Sequence, residues 1–196
     1  MTRVVLATRN LGKVAELQRI LAPLVLEAAS YEPGPETGVS FAENALAKAR
    51  EGVAFTGLPS VADDSGLTVD ALNGMPGILS ARWAGAHGGD LANLRLVLGQ
   101  LADVPAARRG AAFVCAAAYA LPDGRSEVVL GELRGTLLLS PVGRNGFGYD
   151  PIFVPDGLTV TSAELSPQEK DAISHRGQAF RALAPLLAEA LRSAGA

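Results

Sequence analysis

Two long apolar runs in the middle of the chain limit its fold more than any other feature. They cover Gly110 to Leu121 and Val128 to Leu139, and their composition indicates strands. Pro122-Asp123-Gly124 lies between them and is a turn signal, so the runs are predicted to pair as an antiparallel hairpin. Helical patterns occupy both ends of the chain. The sequence therefore predicts an α/β protein with a mixed, twisted sheet, flanking helices and two lobes facing a cleft.

The helices are predicted from apolar residues that recur every three or four positions. The first helix follows a buried strand at Val4 to Ala7, across a polar turn. The second is expected to begin near Ser40, because Ser40 and Glu43 form an S-x-x-E capping box. The apolar positions are Val14, Leu17, Ile20, Leu21 and Leu24 for the first helix, Ala45, Leu46, Ala49 and Val53 for the second, Leu91, Leu94, Val97, Leu98 and Leu101 for the third, and Phe180, Leu183, Leu187 and Leu191 for the last.

The size and composition of the chain suit one large globular domain or two small lobes, and we assign residues 1–196 to a single two-lobed domain. Of its 196 residues, 48% are hydrophobic and 19% are charged, which is enough apolar material for a sizeable core. The formal net charge of −3 leaves no broad basic face for a nucleic-acid backbone. A small anionic ligand is therefore favoured over a nucleic-acid polymer.

Neither secretion nor membrane anchoring is indicated by the sequence. The amino terminus runs into a strand pattern without a charged leader and cleavage site. The longest apolar run, Ala111 to Leu121, is too short to span a bilayer. The one cysteine, Cys115, has no internal disulfide partner and lies among apolar residues, as a buried, inert thiol does. We expect the protein in the reducing cytoplasm.

The three lysines of the chain mark a candidate site. Seventeen residues are basic and fourteen of them are arginines, so arginine supplies the general positive charge. Lys13, Lys48 and Lys170 each lie among polar or special residues, where a compact, movable charge is more useful than a planar guanidinium. Their convergence would suit an anion with several charges, such as a triphosphate. Chance placement of three rare residues is the alternative.

The segment from Thr8 to Lys13 is a candidate phosphate site. It lies between the first strand and the first helix, where backbone N–H groups and the helix dipole favour anions. Thr8, Asn10 and Lys13 would add donors there, although the spacing is not that of a Walker P-loop. The same side chains could instead cap the helix or lie in solvent.

Two adjacent carboxylates lie in the segment Asp63 to Gly66. This segment is predicted to end a short strand that resumes at Leu67 to Val69. Adjacent carboxylates repel each other unless a cation or a donor compensates, so the pair is a candidate Mg²⁺ site and general base. Neighbouring side chains on a strand point to opposite faces, and we assign Asp64 to the cleft. A turn carboxylate is the alternative for Asp64, and Glu43 is either a capping residue or a second metal ligand.

The segment from Gly146 to Pro151 places Phe147 between two glycines. This arrangement favours a base-stacking platform on a mobile loop, and Asp150 could then bind ring N–H groups. The alternative is a tight turn with Phe147 folded inward. Farther along, His175 and Arg176 lie at the predicted start of the last helix and add hydrogen-bond donors.

Six ordered motifs resemble those of the noncanonical purine NTP pyrophosphatase family, the inosine triphosphate pyrophosphatases. They are T-x-N-x-x-K, F-x-E-N-A-x-x-K-A, A-D-D-S-G-L, P-G-I-x-S-A-R, G-F-G-Y-D-P and S-H-R, and they run from Thr8 to Arg176. The resemblance implies a homodimer of elongated two-lobed α/β subunits, each with a central cleft. It also implies Mg²⁺-dependent conversion of ITP, dITP and XTP to the monophosphate and pyrophosphate, which removes deaminated purines from the nucleotide pool.

The resemblance further implies which residues form the site. It makes Asp64 the proton acceptor and a metal ligand, and Glu43 a second metal ligand. Many relatives have Asn where this chain has Asp171, which leaves any contact by that residue open. The implied substrate contacts are Thr8, Arg9, Asn10, Leu11, Gly12, Lys13, Ser65, Phe147, Gly148, Tyr149, Asp150, Lys170, His175 and Arg176, and the distribution of lysines adds Lys48.

The chemistry of these residues agrees with the implied reaction. Hydrolysis between the α- and β-phosphates needs a positioned water, a base and cations that hold charge on pyrophosphate. Asp64, Mg²⁺ and the lysines fit these roles. Arg176 or His175 could donate to O6 of hypoxanthine or xanthine, where adenine carries an amino group. Two alternatives stay open: a Maf-type pyrophosphatase for other modified or pyrimidine nucleotides, and a nucleotide sensor without turnover.

Overall fold

One mixed sheet organises the part of the chain that the computed structural model describes, residues 3–8, 11–21, 26–32, 34–85 and 87–194. Within these ranges, the strand order is β2-β1-β3-β4-β5-β6. β1 is parallel to β2 and β3, whereas β6 is antiparallel to β5. The strands are β1 (Val4–Leu6), β2 (Leu26–Ala28), β3 (Ser60–Val69), β4 (Gly110–Ala120), β5 (Ser126–Leu137) and β6 (Phe153–Pro155). The predicted α/β class with a mixed sheet is confirmed.

The helices begin and end where local capping favours it. Ser40 caps the second helix by accepting the N–H of Glu43 at 3.2 Å, and the helix ends before Gly57, which has a left-handed conformation. In a capping box the Glu43 carboxylate would accept the N–H of Ser40. In the structure it accepts the N–H of the preceding residue, Val39, at 3.1 Å. All four predicted helices are present, although Leu24 lies outside the described residues. The helices are α1 (Leu11–Ile20), α2 (Phe41–Thr56), α3 (Asp90–Gln100), α4 (Pro167–Ile173) and α5 (His175–Ala194).

The predicted hairpin is also present. β4 and β5 are neighbours in the sheet, and a tight turn connects them. In that turn, Gly124 donates its N–H to the carbonyl of Leu121 at 3.0 Å, and Leu121 donates its own N–H to the carbonyl of Arg125 at 2.8 Å. Neighbouring strands with so short a connection must be antiparallel, since a parallel pair needs a crossover.

The prediction that a strand ends at Asp63 to Gly66 is wrong, because β3 runs through this segment without a break. The two carboxylates can lie within a buried strand because each has a charged or amide partner. Gly66 is also accommodated for a steric reason. A Cβ at this position would lie 2.4 Å from Ser80 Oγ and 2.6 Å from the carbonyl oxygen of Gly77. Glycine therefore allows a close approach to the backbone here rather than a turn.

The chain divides into two compact units, and the division falls within β3, β4 and β5. The first unit contains Met1–Asp64, Cys115–Gly131 and Arg176–Ala196, and the second contains Ser65–Val114 and Glu132–His175. The single-domain assignment for residues 1–196, with one nucleotide-binding cleft, stays a prediction. Among the described residues, no helix is both long and apolar enough to cross a membrane.

Each unit has its own apolar core. In the first, α1 and α5 pack against the sheet, and a second cluster consists of alanines from α2 and the strands that it covers. Cys115 is fully buried in the first of these clusters, which confirms its predicted burial. The core of the second unit includes Leu67, Leu94, Val97, Phe113 and Phe153. These cores fix the strands and helices that carry the polar residues described below.

Candidate active site

Asp63 and Asp64 project their carboxylates to opposite faces of β3. This follows from the alternation of side chains along a strand. The Asp63 side chain is fully buried and that of Asp64 is 7% exposed. Because an isolated buried carboxylate would be strongly destabilising, each needs its own set of compensating groups.

Asp63 is held by two cations of the first unit. Lys13 Nζ donates to Asp63 Oδ2 at 2.9 Å, and Arg176 Nε donates to the same oxygen at 3.2 Å. Burial, the largest single influence, would raise the pKa of Asp63, but Lys13, Arg176 and Lys48 together hold that pKa well below its usual range. Asp63 is therefore ionised at neutral pH and anchors two of the predicted substrate-binding cations.

Asp64 is surrounded by residues from α2. Asn44 Nδ2 donates to Asp64 Oδ2 at 2.9 Å, and Lys48 Nζ lies 3.6 Å from Asp64 Oδ1. Asn44 and Lys48 are one helical turn apart, so both can face the same strand residue. Burial raises the pKa of Asp64, while Lys48 and Asn44 act in the opposite direction and the nearby Glu36 adds to the increase. A carboxylate with a raised pKa in a cationic setting suits a general base.

Glu36 is a site residue that the sequence interpretation missed. Its carboxylate forms an ion pair with Lys48 Nζ, and this ammonium group also donates to the carbonyl oxygen of Asp63 at 3.1 Å. Burial opposes the charged form of Lys48, but Asp64, Glu36 and Asp63 raise its pKa. Lys48 therefore lies between two carboxylates, those of Glu36 and Asp64, that could share a cation with a substrate.

The loop that carries Glu36 is attached to α2 by hydrogen bonds. Gly38 donates its N–H to Asn44 Oδ1 at 2.8 Å, and Gly34 donates to Glu51 Oε1 at 2.9 Å. A cavity of about 190 Å³ lies here, lined by residues 34–38 together with Asn44, Ala47, Lys48 and Glu51. Among the described residues, no group of three or more histidine, cysteine, aspartate and glutamate side chains could hold a metal ion by itself.

Glu43 has a capping contact in the structure. As described above, its carboxylate accepts the N–H of Val39 at the start of α2. Its role as a metal ligand stays a prediction. Asp64 and Glu36, rather than Glu43, are the carboxylates that raise the pKa of Lys48 most.

The amino-terminal segment is described in part. Thr8 is half-buried and donates its N–H to the carbonyl oxygen of Leu6 at 2.8 Å. Leu11 and Gly12 begin α1, and Lys13 reaches Asp63 from its first turn. The predicted contacts at Arg9 and Asn10 lie outside the described residues.

In the second unit, the loop that contains Phe147 presents an aromatic ring to solvent. The Phe147 side chain is 44% exposed, which favours the platform interpretation over the inward-folded one. Asp150 Oδ2 accepts the N–H of Phe147 at 2.8 Å and pairs with Lys170 Nζ at 2.5 Å. Lys170 Nζ also lies 4.9 Å from the centroid of the Phe147 ring, within cation–π range. The structure thus brings three predicted contacts together in one cluster.

The remaining predicted contacts have different surroundings. Ser65 is half-buried on β3, and Tyr149 donates its hydroxyl to the carbonyl oxygen of Ser80 at 2.9 Å. His175 is the first residue of α5, as predicted, and its buried ring stacks on Phe113 with the ring centroids 5.0 Å apart. Gly148 has a φ of 62° and donates its N–H to Asp90.

Comparison with known proteins identifies the family of this chain. The model of the Ham1 family matches residues 4–186. A dITP/XTP pyrophosphatase from Streptomyces avermitilis is 60% identical over 199 residues, which cover 97% of this chain and 100% of that protein.

Solved structures are also similar. The crystal structure of a nucleoside-triphosphatase (dITP/XTP pyrophosphatase) from Mycobacterium abscessus is 57% identical and has a TM-score of 0.78, covering 94% of this chain and 100% of the other. The structure of a HAM1 protein from Coxiella burnetii is 42% identical and has a TM-score of 0.87, with coverages of 96% and 100%. The family resemblance inferred from the six motifs is confirmed, and the chain belongs to the Ham1 family.

Proposed function

We propose that this protein is a nucleoside triphosphate pyrophosphohydrolase that converts dITP, ITP and XTP to the monophosphate and pyrophosphate. The observation that carries the proposal is the cluster around Asp64, in which a buried carboxylate with a raised pKa lies beside Lys48 and Asn44. The relative from Streptomyces avermitilis, which matches nearly the whole chain, is named for this activity. Neither a Maf-type enzyme nor a sensor without turnover is favoured by these similarities.

Asp64 is proposed as the general base. Asn44 donates to its Oδ2 and Lys48 lies 3.6 Å from its Oδ1, and a carboxylate oriented in this way would accept a proton from the attacking water. Lys48 lies on the side of Oδ1 and would stabilise the negative charge that develops on the phosphate oxygens. The Phe147 ring of the second unit is proposed to stack on the purine.

The donor set around Lys48 fits a magnesium ion that is held jointly with a triphosphate. Mg²⁺ sites in such enzymes commonly use one or two carboxylates, and substrate phosphates and water complete the coordination. We propose Asp64 and Glu36 as these carboxylates, because both already pair with the positive charge of Lys48 and could likewise hold a cation bound beside it. When bound, the ion would polarise the phosphate oxygens and lower the charge on the leaving pyrophosphate. A homodimer and a cytoplasmic location are also proposed.

A substrate panel tests the proposed function. Release of pyrophosphate is measured with dITP, ITP, XTP, GTP, ATP and dTTP, each with and without Mg²⁺. We expect turnover of the first three nucleotides, with dependence on the ion. Preference for dTTP would instead support a Maf-type enzyme, and binding of XTP without pyrophosphate release would support a sensor.

A further inference from the structure

Asp90 contacts the aromatic loop from a distant part of the sequence. It is the first residue of α3, and its Oδ2 accepts the N–H of Gly148 at 2.9 Å. The two residues are 58 positions apart in the chain, and both belong to the second unit. Because an ionised acceptor forms a stronger hydrogen bond than a neutral one, this contact is well suited to hold a loop in place.

The loop needs such contacts because its backbone has little preference of its own. Gly146 and Gly148, on either side of Phe147, have φ angles of 75° and 62°, in the left-handed region. Glycine reaches this region easily but also leaves it easily, so the native conformation must be imposed from outside. Two successive N–H groups, those of Phe147 and Gly148, are each bound by a carboxylate, Asp150 and Asp90 respectively.

Asp90 can act as a fixed point because α3 is itself firmly held. Leu94 and Val97 of this helix are buried in the core of the second unit. In its first turn, Asn93 Oδ1 accepts the N–H of Ala84 at 2.7 Å, and Asn93 Nδ2 donates to the carbonyl oxygen of Ala81 at 3.2 Å. The start of α3 is thus bound to the segment that precedes it, and a hydrogen bond from Asp90 transmits this rigidity to the loop.

We infer that Asp90 is a positioning residue for base recognition, which fixes the Phe147 ring in the orientation that stacks on a purine. The inference rests on the proposed function, since it takes Phe147 as the base platform. Asp90 does not contact the reacting phosphates in this account. Its loss should therefore weaken binding of the base and leave the hydrolytic step nearly unchanged.

The test compares Asp90→Ala with Asp90→Asn, which keeps a carbonyl acceptor for the Gly148 N–H. For XTP we expect Asp90→Ala to raise KM roughly tenfold, the effect of losing one charged hydrogen bond, while kcat changes by less than about twofold. Asp90→Asn should recover most of this affinity. Asp103→Ala is the control, since it removes an exposed carboxylate just after the same helix. The dissociation constant of xanthosine monophosphate, measured by calorimetry, should change in parallel with KM across these variants.

A double variant separates positioning from a general loss of stability. If Asp90 acts through the Phe147 ring, Asp90→Ala should raise KM no further in a Phe147→Ala background. Three outcomes would overturn the inference: the effects of the two substitutions on KM multiply, KM is unchanged in Asp90→Ala, or Asp90→Asn binds XTP as weakly as Asp90→Ala does. These results require that the wild-type enzyme hydrolyses XTP. Absence of wild-type turnover would instead count against the proposed function.

Discussion

The side-chain amide of Asn44 joins Asp64 to the loop that carries Glu36. Its Nδ2 donates to Asp64 Oδ2 at 2.9 Å, while its Oδ1 accepts the N–H of Gly38 at 2.8 Å. The backbone N–H of Gly38 can only donate, which fixes the orientation of the amide and leaves its NH₂ group for Asp64. The carboxylate of Asp64 is thus an acceptor on this side, as an ionised base must be.

Replacing Asn44 with alanine should reduce turnover. Without the amide, neither Asp64 nor the loop at Gly38 is held in place, and we expect kcat for XTP to fall by about tenfold to a hundredfold, as on loss of an outer-sphere partner. Steady-state kinetics at saturating substrate would measure this. The same substitution in an Asp64→Asn background should cause little further loss, and independent, multiplying effects would contradict the role of Asn44.

Replacing Asp63 and Asp64 individually with asparagine should change the free energy of unfolding in opposite directions. Asp63→Asn removes the partner of Lys13 and Arg176 and should lower the free energy of unfolding by about 3–5 kcal/mol, as when one member of a buried ion pair is lost. Asp64→Asn should raise it at neutral pH, because an acid whose folded pKa is raised destabilises the fold above that pKa.

Denaturant unfolding between pH 3 and pH 8 measures both effects. The folded pKa of Asp63 is depressed, so its contribution is fully present above its unfolded pKa and is lost as the pH falls through the folded pKa. The difference between wild type and Asp63→Asn should therefore persist at pH 8 and shrink toward low pH. Equal destabilisation by both substitutions at neutral pH would contradict this account.

Asp64→Asn should also abolish most turnover while nucleotide binding persists.

Phe147→Ala should raise KM for XTP more than it changes kcat. Stacking on a base that is remote from the broken bond contributes mainly to uniform binding, and its loss costs about 1–3 kcal/mol. Phe55→Ala is a suitable control, because Phe55 is another exposed aromatic residue, 63% accessible, and stacks only on Tyr31 among the aromatic contacts of the described residues. An unchanged KM in Phe147→Ala would show that the ring is not a base platform.

Two glutamates give a direct comparison for the metal site. Glu36→Gln should raise the Mg²⁺ concentration that gives half-maximal activity by roughly tenfold or more, since it removes a charged ligand beside Lys48. Glu43→Gln keeps a carbonyl acceptor for the N–H of Val39 and should leave that concentration nearly unchanged. The reverse outcome would identify Glu43 as the metal ligand that the sequence resemblance implies.

Much of the fold could be predicted because local patterns are strong where the chain is regular. The capping residue Ser40 and the turn at Pro122 to Gly124 each act over a few residues, so they are readable without tertiary information. The same signal is present for α4, where Ser166 and Glu169 form a capping box ahead of Lys170, although this helix has too few apolar residues for the periodic pattern that predicts the others. A short helix with a strong cap can thus be found from sequence alone.

The parts of the site that were missed depend on contacts between distant segments. Asp63 and Asp64 suggested a strand end, because adjacent carboxylates are rarely buried, and only the positions of Lys13, Arg176 and Asn44 show why they are. Glu36 lies in a loop without a periodic pattern, so nothing local connects it to Lys48. Asn44 is part of the F-x-E-N-A motif and could have been assigned from its place one turn before Lys48.

Identifying the phosphorus atom that water attacks tests the proposed mechanism directly. A base at Asp64 and cations that stabilise pyrophosphate as one leaving group favour attack of water at the α-phosphorus. Hydrolysis of ITP in heavy-oxygen water identifies the attacked phosphorus by mass spectrometry, because the entering oxygen stays on that atom. We expect the label in inosine monophosphate. Label in pyrophosphate, or inosine diphosphate with labelled orthophosphate, would contradict the proposed mechanism.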